Sequence, residues 1–381
     1  MSNPLRELAS HGQSVWYDGL RRPLITHGDL KRLIDEDGLA GLTTNPSIYE
    51  KAIAETHDYD ESLARLFARP GVSPQAVFES LAVEDLRAAA DHLRPVYERT
   101  ARRDGYVSFE VPPAIARDTA GTIREATRLW KLFDRENVMI KVPGTPEAVP
   151  AIQALLAEGV NVNITLLFAR GAYAAVAEAF LAALEERVDE GEDVARVGSV
   201  ASFFVSRIDT MIDELLEEKA RSAPEAERAR IEALRGKSAI ANAKLAYQHY
   251  LALVASPRWE RLAEHGAMPQ RLLWASTSTK NPRYRDVMYV EELVGPSTVD
   301  TMPPATFDAF RDHGRVRLSL LDGVDEARRT LDELERAGVS LDDVTERLLH
   351  DGLRLFAEPF DKLMAMLERR RGEGAQAHPH A

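Results

Sequence analysis

The stretch Asn137-Val-Met-Ile-Lys-Val-Pro-Gly-Thr145 places one cation inside an apolar run and then stops at a Pro-Gly turn. A short apolar run closed by turn residues predicts a strand of a parallel sheet, covered on both faces. An ammonium at the end of such a strand costs several kcal/mol to bury unless it is paired or neutralised. Lys141 therefore carries two readings, an ion pair that caps the sheet or an amine with a chemical task. The residue type sharpens the question, because the chain has nine lysines against 39 arginines. Where it wants a surface cation it usually places Arg.

Working outward, similar runs recur between long helical patterns, as repeated βα units require. Eight strands are expected, near Ser14–Asp18, Leu39–Thr43, Tyr106–Glu110, Asn137–Val142, Val160–Thr165, Val197–Phe203, Arg271–Ala275 and Thr298–Met302. Residues 171–189 illustrate the intervening helices, with apolar residues at helical spacing. Eight alternating units predict an α/β fold of the (β/α)₈ TIM-barrel type, and no glycine-rich dinucleotide fingerprint follows any strand.

Two connections exceed what a minimal barrel needs, and both are expected to be helical insertions. Residues 46–103 carry a break at Pro70-Gly71, and residues 207–269 contain the charged stretch Glu214–Arg235, read as a helical hairpin or one longer helix. A helical region over Pro304–Arg371, broken near Gly314 and Gly338, follows the last strand. Residues 1–371 are expected to form a single domain and 372–381 a disordered tail, in which His378 and His380 read as solvated rather than metal-binding.

Composition narrows the function. The chain has 381 residues, 45% hydrophobic and 29% charged, which suits a large-cored globular protein. A formal charge of −13 argues against nucleic acid or an anionic membrane as the main partner, though not against a phosphorylated small molecule held in a cationic cleft. Without cysteine, a catalytic thiol and thiolate metal sites are excluded. The first residues lack signal-peptide character and no apolar run approaches membrane-spanning length, so the expected location is cytoplasmic.

Barrel chemistry sits at the C-terminal ends of the strands. Reading only those positions yields Asp18 after strand one, Asn45 in Thr-Thr-Asn-Pro-Ser after strand two, Glu110 and Lys141. Asn163 and Thr165 come from strand five, the run Ser202-Phe-Phe204-Val-Ser-Arg207 from strand six, and Ser276 through Lys280 from strand seven. An unprotonated Lys141 could attack a ketone and form an iminium. Such chemistry needs proton transfers, for which Glu110 and Asp18 are candidates, Glu110 through a water held by Thr165. Asn45 and Asn163 suit hydroxyls of a bound sugar, or cap a turn and a strand end. Arg207, Lys280 and the hydroxyls near Ser276 suit a phosphate, whereas Arg207 could equally pair with Asp209 or Asp213.

At these residues the sequence resembles the transaldolases, in their longer bacterial form. The match is carried by Gly-Leu-Thr-Thr-Asn-Pro-Ser-Ile (41–48), Val-Ser-Phe-Glu-Val (107–111), Val-Met-Ile-Lys-Val-Pro-Gly-Thr (138–145), Val-Asn-Ile-Thr-Leu-Leu-Phe (162–168) and Ala-Ser-Phe-Phe-Val-Ser-Arg-Ile-Asp (201–209). The resemblance spans about residues 10–365. It implies a barrel in which Lys141 forms the Schiff base, Asp18 serves C–C cleavage, and Glu110 with Thr165 holds a catalytic water. It also implies that Asn45, Asn163 and Ser202 contact the donor and that Arg207 meets the phosphate; Phe204, Ser276 and Lys280 are the further substrate-binding candidates. The implied reaction moves a dihydroxyacetone unit from sedoheptulose 7-phosphate to glyceraldehyde 3-phosphate, giving erythrose 4-phosphate and fructose 6-phosphate, without metal or cofactor. Sugar phosphates are the expected partners, and a monomer or homodimer the expected state.

The chain departs from shorter members of that family in two places. Thr279-Lys280-Asn281 stands where they carry an Arg, and Phe203 where Ser-Pro-Phe is common. Lys binds phosphate as a point charge and lacks the guanidinium fork. Two other readings use the same residues, an aldolase that releases free dihydroxyacetone and a non-catalytic sugar-phosphate-binding barrel.

Overall fold

The computed structural model describes residues 3–377. Eight parallel strands close into one barrel in sequence order: β1 (Gln13–Asp18), β2 (Gly41–Thr43), β3 (Tyr106–Glu110), β4 (Val138–Pro143), β5 (Val162–Leu167), β6 (Ser199–Phe204), β7 (Arg271–Ala275) and β8 (Thr298–Met302). β8 pairs back onto β1 from Gln13↔Thr298 to Tyr17↔Met302, so no strand edge is left open. Every expected strand is present, with ends within two residues of the sequence reading. The reason is burial on both faces: Val138, Met139, Ile140 and Val142 are all shielded from solvent, and such strands must be written as apolar runs.

The floor of the barrel is tied by a buried polar cluster. Arg271 of β7 donates to Ser14 Oγ of β1 at 2.7 Å and to the Arg103 carbonyl at 2.6 Å, and pairs with Asp104 at 2.9 Å. Asp104 also accepts from Ser14 and from the Trp16 indole. One close approach fixes a residue type. Gly41 lies in register with Trp16, and a Cβ at Gly41 would come within 2.5 Å of the indole ring.

Both insertions are helical. Helices Pro46–Glu55, Asp60–Phe67 and Pro74–Arg99 follow β2, with the break where Pro70-Gly71 stands. Helices Ser206–Ser222 and Glu225–Glu232 resolve the charged stretch as a hairpin, interrupted at Ala223-Pro224, because Pro cannot continue a helix interior. Helices Ser238–Val254 and Pro257–Glu264 complete that connection. After β8 come Pro304–His313, Val324–Arg336 and Leu341–Ala377.

The last helix lies across the C-terminal mouth of the barrel, where Phe356 reaches the cleft. It is described as far as Ala377, past the point where a disordered tail is expected to begin. Residues 378–381, with His378 and His380, lie outside the described residues. No described helix is long and apolar enough to cross a membrane, and no cluster of three potential metal-ligating His, Asp or Glu residues occurs among the described residues.

Candidate active site

β4 delivers Lys141 to the barrel mouth with its side chain almost fully shielded. Register places Lys141 beside Glu110 of β3 and Asn163 of β5. Its Nζ donates to the Thr44 carbonyl at 3.0 Å and stands 3.7 Å from Glu110 Oε2, too long for a hydrogen bond. The amine is thus held by a neutral acceptor, with its carboxylate neighbour slightly withdrawn.

Asp18 ends β1 on the opposite side of a cleft of about 200 Å³ lined by Asp18, Asn45, Lys141, Thr165, Arg207 and Lys280, among others. Thr43 Oγ1 donates to Asp18 Oδ1 at 2.8 Å, and Thr301 Oγ1 lies 2.9 Å behind it. Burial pushes the Asp18 carboxyl up, against the opposing pull of Lys141 and the Thr43 hydroxyl. Asn45 does two jobs. Its Oδ1 accepts from the Ile48 amide and from Ser47, capping helix Pro46–Glu55, while its Nδ2 points to Asp18 Oδ2 at 3.4 Å.

Glu110 does not line that cleft. It faces a separate narrow pocket of about 20 Å³, bordered also by Thr44, Asn45, Phe360 and the exposed Gln75, with room for about one water. Neither Glu110 carboxyl oxygen has a hydrogen-bond partner among the described residues, and the same holds for Thr165 Oγ1. Burial pushes the Glu110 carboxyl up to about 7, opposed by Lys141 and aided by Asp18. Buried polar atoms without partners mark places where water or substrate completes the bonding.

Asn163 is also set back from the cleft. Its Nδ2 donates to Ser108 Oγ at 3.1 Å, and its Oδ1 accepts from Ser202 Oγ at 2.6 Å, linking β3, β5 and β6. Ser202 lines the cleft and is the member of that chain that reaches it.

At the far end of the cleft two cations converge. Arg207, second residue of helix Ser206–Ser222, stacks over the Phe204 ring at 5.5 Å. Burial, with no compensating carboxylate, pulls the Arg207 guanidinium down from its ordinary value, and its Nη1 has no partner among the described residues. Lys280 is lowered as well, first by burial and then by Arg207. Asp209 and Asp213 are occupied elsewhere. Asp209 accepts from the Ala239 amide and Tyr289, and Asp213 from the Gly236 amide and Tyr284, so neither neutralises Arg207. Lys280 Nζ donates to Ser278 Oγ at 2.6 Å, and Ser276 Oγ lies 2.9 Å from Ser206 Oγ. Two unneutralised cations and several hydroxyls are an arrangement suited to an anion.

Three groups at the cleft escape a reading of single strand ends. Thr301 of β8 backs up Thr43, and it was legible as the last inward polar residue of that strand. The Thr44 carbonyl carries no side-chain signal. Phe356 arrives from the last helix, and nothing in its local sequence marks it.

A family model described as Transaldolase/Fructose-6-phosphate aldolase matches residues 15–367. A protein named "Transaldolase" from Trichodesmium erythraeum is 46% identical over 373 residues, covering 97% of this chain and 98% of its own. "Transaldolase 2" of a Nostoc species is 47% identical over 96% of this chain and 97% of its own length. "Transaldolase" of Thermobifida fusca is 48% identical, with 96% and 97% covered.

Proposed function

The chain belongs to the transaldolase/fructose-6-phosphate aldolase family and is an enzyme of the transaldolase type, and from that premise we propose that Lys141 is its Schiff-base nucleophile. The observation that carries the reading is a shielded lysine amine at a barrel mouth, held by a backbone carbonyl between two carboxyls pushed up by burial. In the proposed course, Lys141 Nζ attacks C2 of the ketose phosphate and forms a carbinolamine. Loss of water needs a proton, which Glu110 supplies through a water in reach of Thr165. Asp18 takes the C4 hydroxyl proton, the C3–C4 bond breaks, and the aldehyde product leaves. The electron pair stays on the lysine-bound three-carbon unit as an enamine. An acceptor aldehyde then forms the new C–C bond, Asp18 returns its proton, and hydrolysis frees Lys141.

Arg207 and Lys280 bind the substrate phosphate, while Asn45, Ser202 and Phe204 border the donor. Asn163 acts through Ser202 and Ser108. The sugar phosphates are those of the dihydroxyacetone transfer between seven-, three-, four- and six-carbon sugars, a step of the non-oxidative pentose phosphate pathway.

Borohydride reduction with fructose 6-phosphate, followed by peptide mass mapping, tests the nucleophile. A three-carbon adduct on Lys141, absent from Lys141→Met, is the expected result. An adduct on another lysine, or none on folded protein, overturns the proposal. Rapid release of free dihydroxyacetone without an acceptor would place the enzyme on the aldolase side of its family.

A further inference from the structure

A buried carboxyl with no cation beside it is uncommon and needs a reason. Asp300 of β8 is fully buried, its Oδ2 has no hydrogen-bond partner among the described residues, and burial pushes its carboxyl up to about 8. Strand alternation explains its direction. Thr301 lines the cleft, so Asp300 faces the helical layer, in register with Trp274. It touches no part of the cleft itself.

Its one bond leads there. Thr277 Oγ1 lies 3.1 Å from Asp300 Oδ1 and 3.3 Å from the Thr301 carbonyl. Thr277 is flanked by Ser276 and Ser278, which line the cleft with Lys280. Ser276 has φ +57°, a conformation that a residue with a side chain holds only when its surroundings impose it. Its carbonyl accepts from the Ser206 amide at 3.0 Å, and Ser206 precedes Arg207. The two cations therefore come from separate elements, and their mutual placement runs through Ser206, Ser276, Thr277 and Asp300.

We propose that Asp300 is a positioning residue for phosphate recognition: through Thr277 it holds the Ser276–Lys280 turn so that Lys280 faces the same phosphate as Arg207. The inference rests on the phosphate reading of that pair of cations. Proton accounting supports it. The Thr277 hydroxyl has one proton and two acceptors in reach, and a carbonyl can only accept. A neutral Asp300 resolves the competition, its carboxyl O–H donating to Thr277 while Thr277 donates to Thr301. Asparagine reproduces that donor, since its amide N–H replaces the carboxyl O–H.

The test is half-saturation of the borohydride-trapped adduct, measured with fructose 6-phosphate and with dihydroxyacetone, which has no phosphate. For Asp300→Ala the fructose 6-phosphate value is expected to rise about tenfold, the loss of roughly one hydrogen bond's worth of placement. The dihydroxyacetone value and the maximal trapping rate should stay within about twofold, and Asp300→Asn should restore the wild-type value. Thr277→Val should reproduce the Asp300→Ala shift, and it carries the test if Asp300→Ala does not fold. An unchanged fructose 6-phosphate value, or an equal shift for both ligands, overturns the proposal. Arg207→Ala, run in parallel, separates the premise: no phosphate-dependent shift in that variant removes the phosphate site itself.

Discussion

In the proposed mechanism the division of labour follows from what surrounds each carboxyl. Glu110 sits in a narrow pocket with no hydrogen-bond donor to its oxygens among the described residues, and burial raises it to about 7. Asp18 is also raised by burial, against the charge of Lys141 and the Thr43 hydroxyl, which donates to it. A carboxyl raised to about 7 is protonated below that pH and can donate, and its acid form is lost as pH climbs through 7. The rate of iminium formation should therefore fall above about pH 7 in the wild type. Glu110→Gln should slow that step by about 10²–10⁴ and remove the limb. Stopped-flow trapping across pH 5.5–9 checks it, and a limb that survives in Glu110→Gln assigns the acid to another group. Arg207 shows the reverse logic. Its carboxylate neighbours in sequence cap other elements, so its charge remains free for a ligand.

Among elements, the strands were the most legible and the connections the least. Parallel strands buried on both faces are written almost entirely in apolar residues, so a polar residue at a strand end stands out, as Asp18, Glu110 and Lys141 do. That signal could not tell which polar side chains bond one another. Asn163, expected to be a sugar ligand, also joins Ser108 to Ser202. The floor cluster makes a testable claim about how the barrel closes. Asp104 and Arg271 are both buried, and Ser14 and Trp16 bond to the same group. Removing one charge leaves the other buried and alone, so Asp104→Asn should cost about 3–5 kcal/mol. Urea unfolding measures this, and a loss below about 1 kcal/mol would mean the pair adds nothing to closure.

For the whole molecule, buried carboxyls make stability depend on pH in an unusual direction. Glu110 and Asp209 are raised to about 7 and Asp300 to about 8, each chiefly by burial. A folded-state value above the unfolded one gives stability that is fully present below about pH 4, the unfolded value, and is lost as pH rises through 7 to 8. Surface carboxylates lowered by partners, such as Asp60 and Glu185, act at the acid end instead. Asp300→Asn removes one buried titration. Its melting temperature should therefore gain on the wild type from pH 5.5 to about 8 and level off above that. A constant difference across that range would mean that Asp300 does not titrate in the folded chain.

The barrel, the order of its strands and the polar residues at its mouth are legible along the chain. These follow from local patterns: apolar runs for buried strands, helical spacing for the outer layer, Pro and Gly for the breaks. Which side chains meet is settled only in the closed fold. It set Glu110 in its own cavity rather than in the cleft, turned Asp209 and Asp213 away from Arg207, and brought Phe356 across the mouth from the last helix. The reason is physical. Burial and periodicity are properties of neighbouring residues, whereas hydrogen-bond partners, desolvation and the charges they shift depend on groups that only the closed fold brings within a few ångströms.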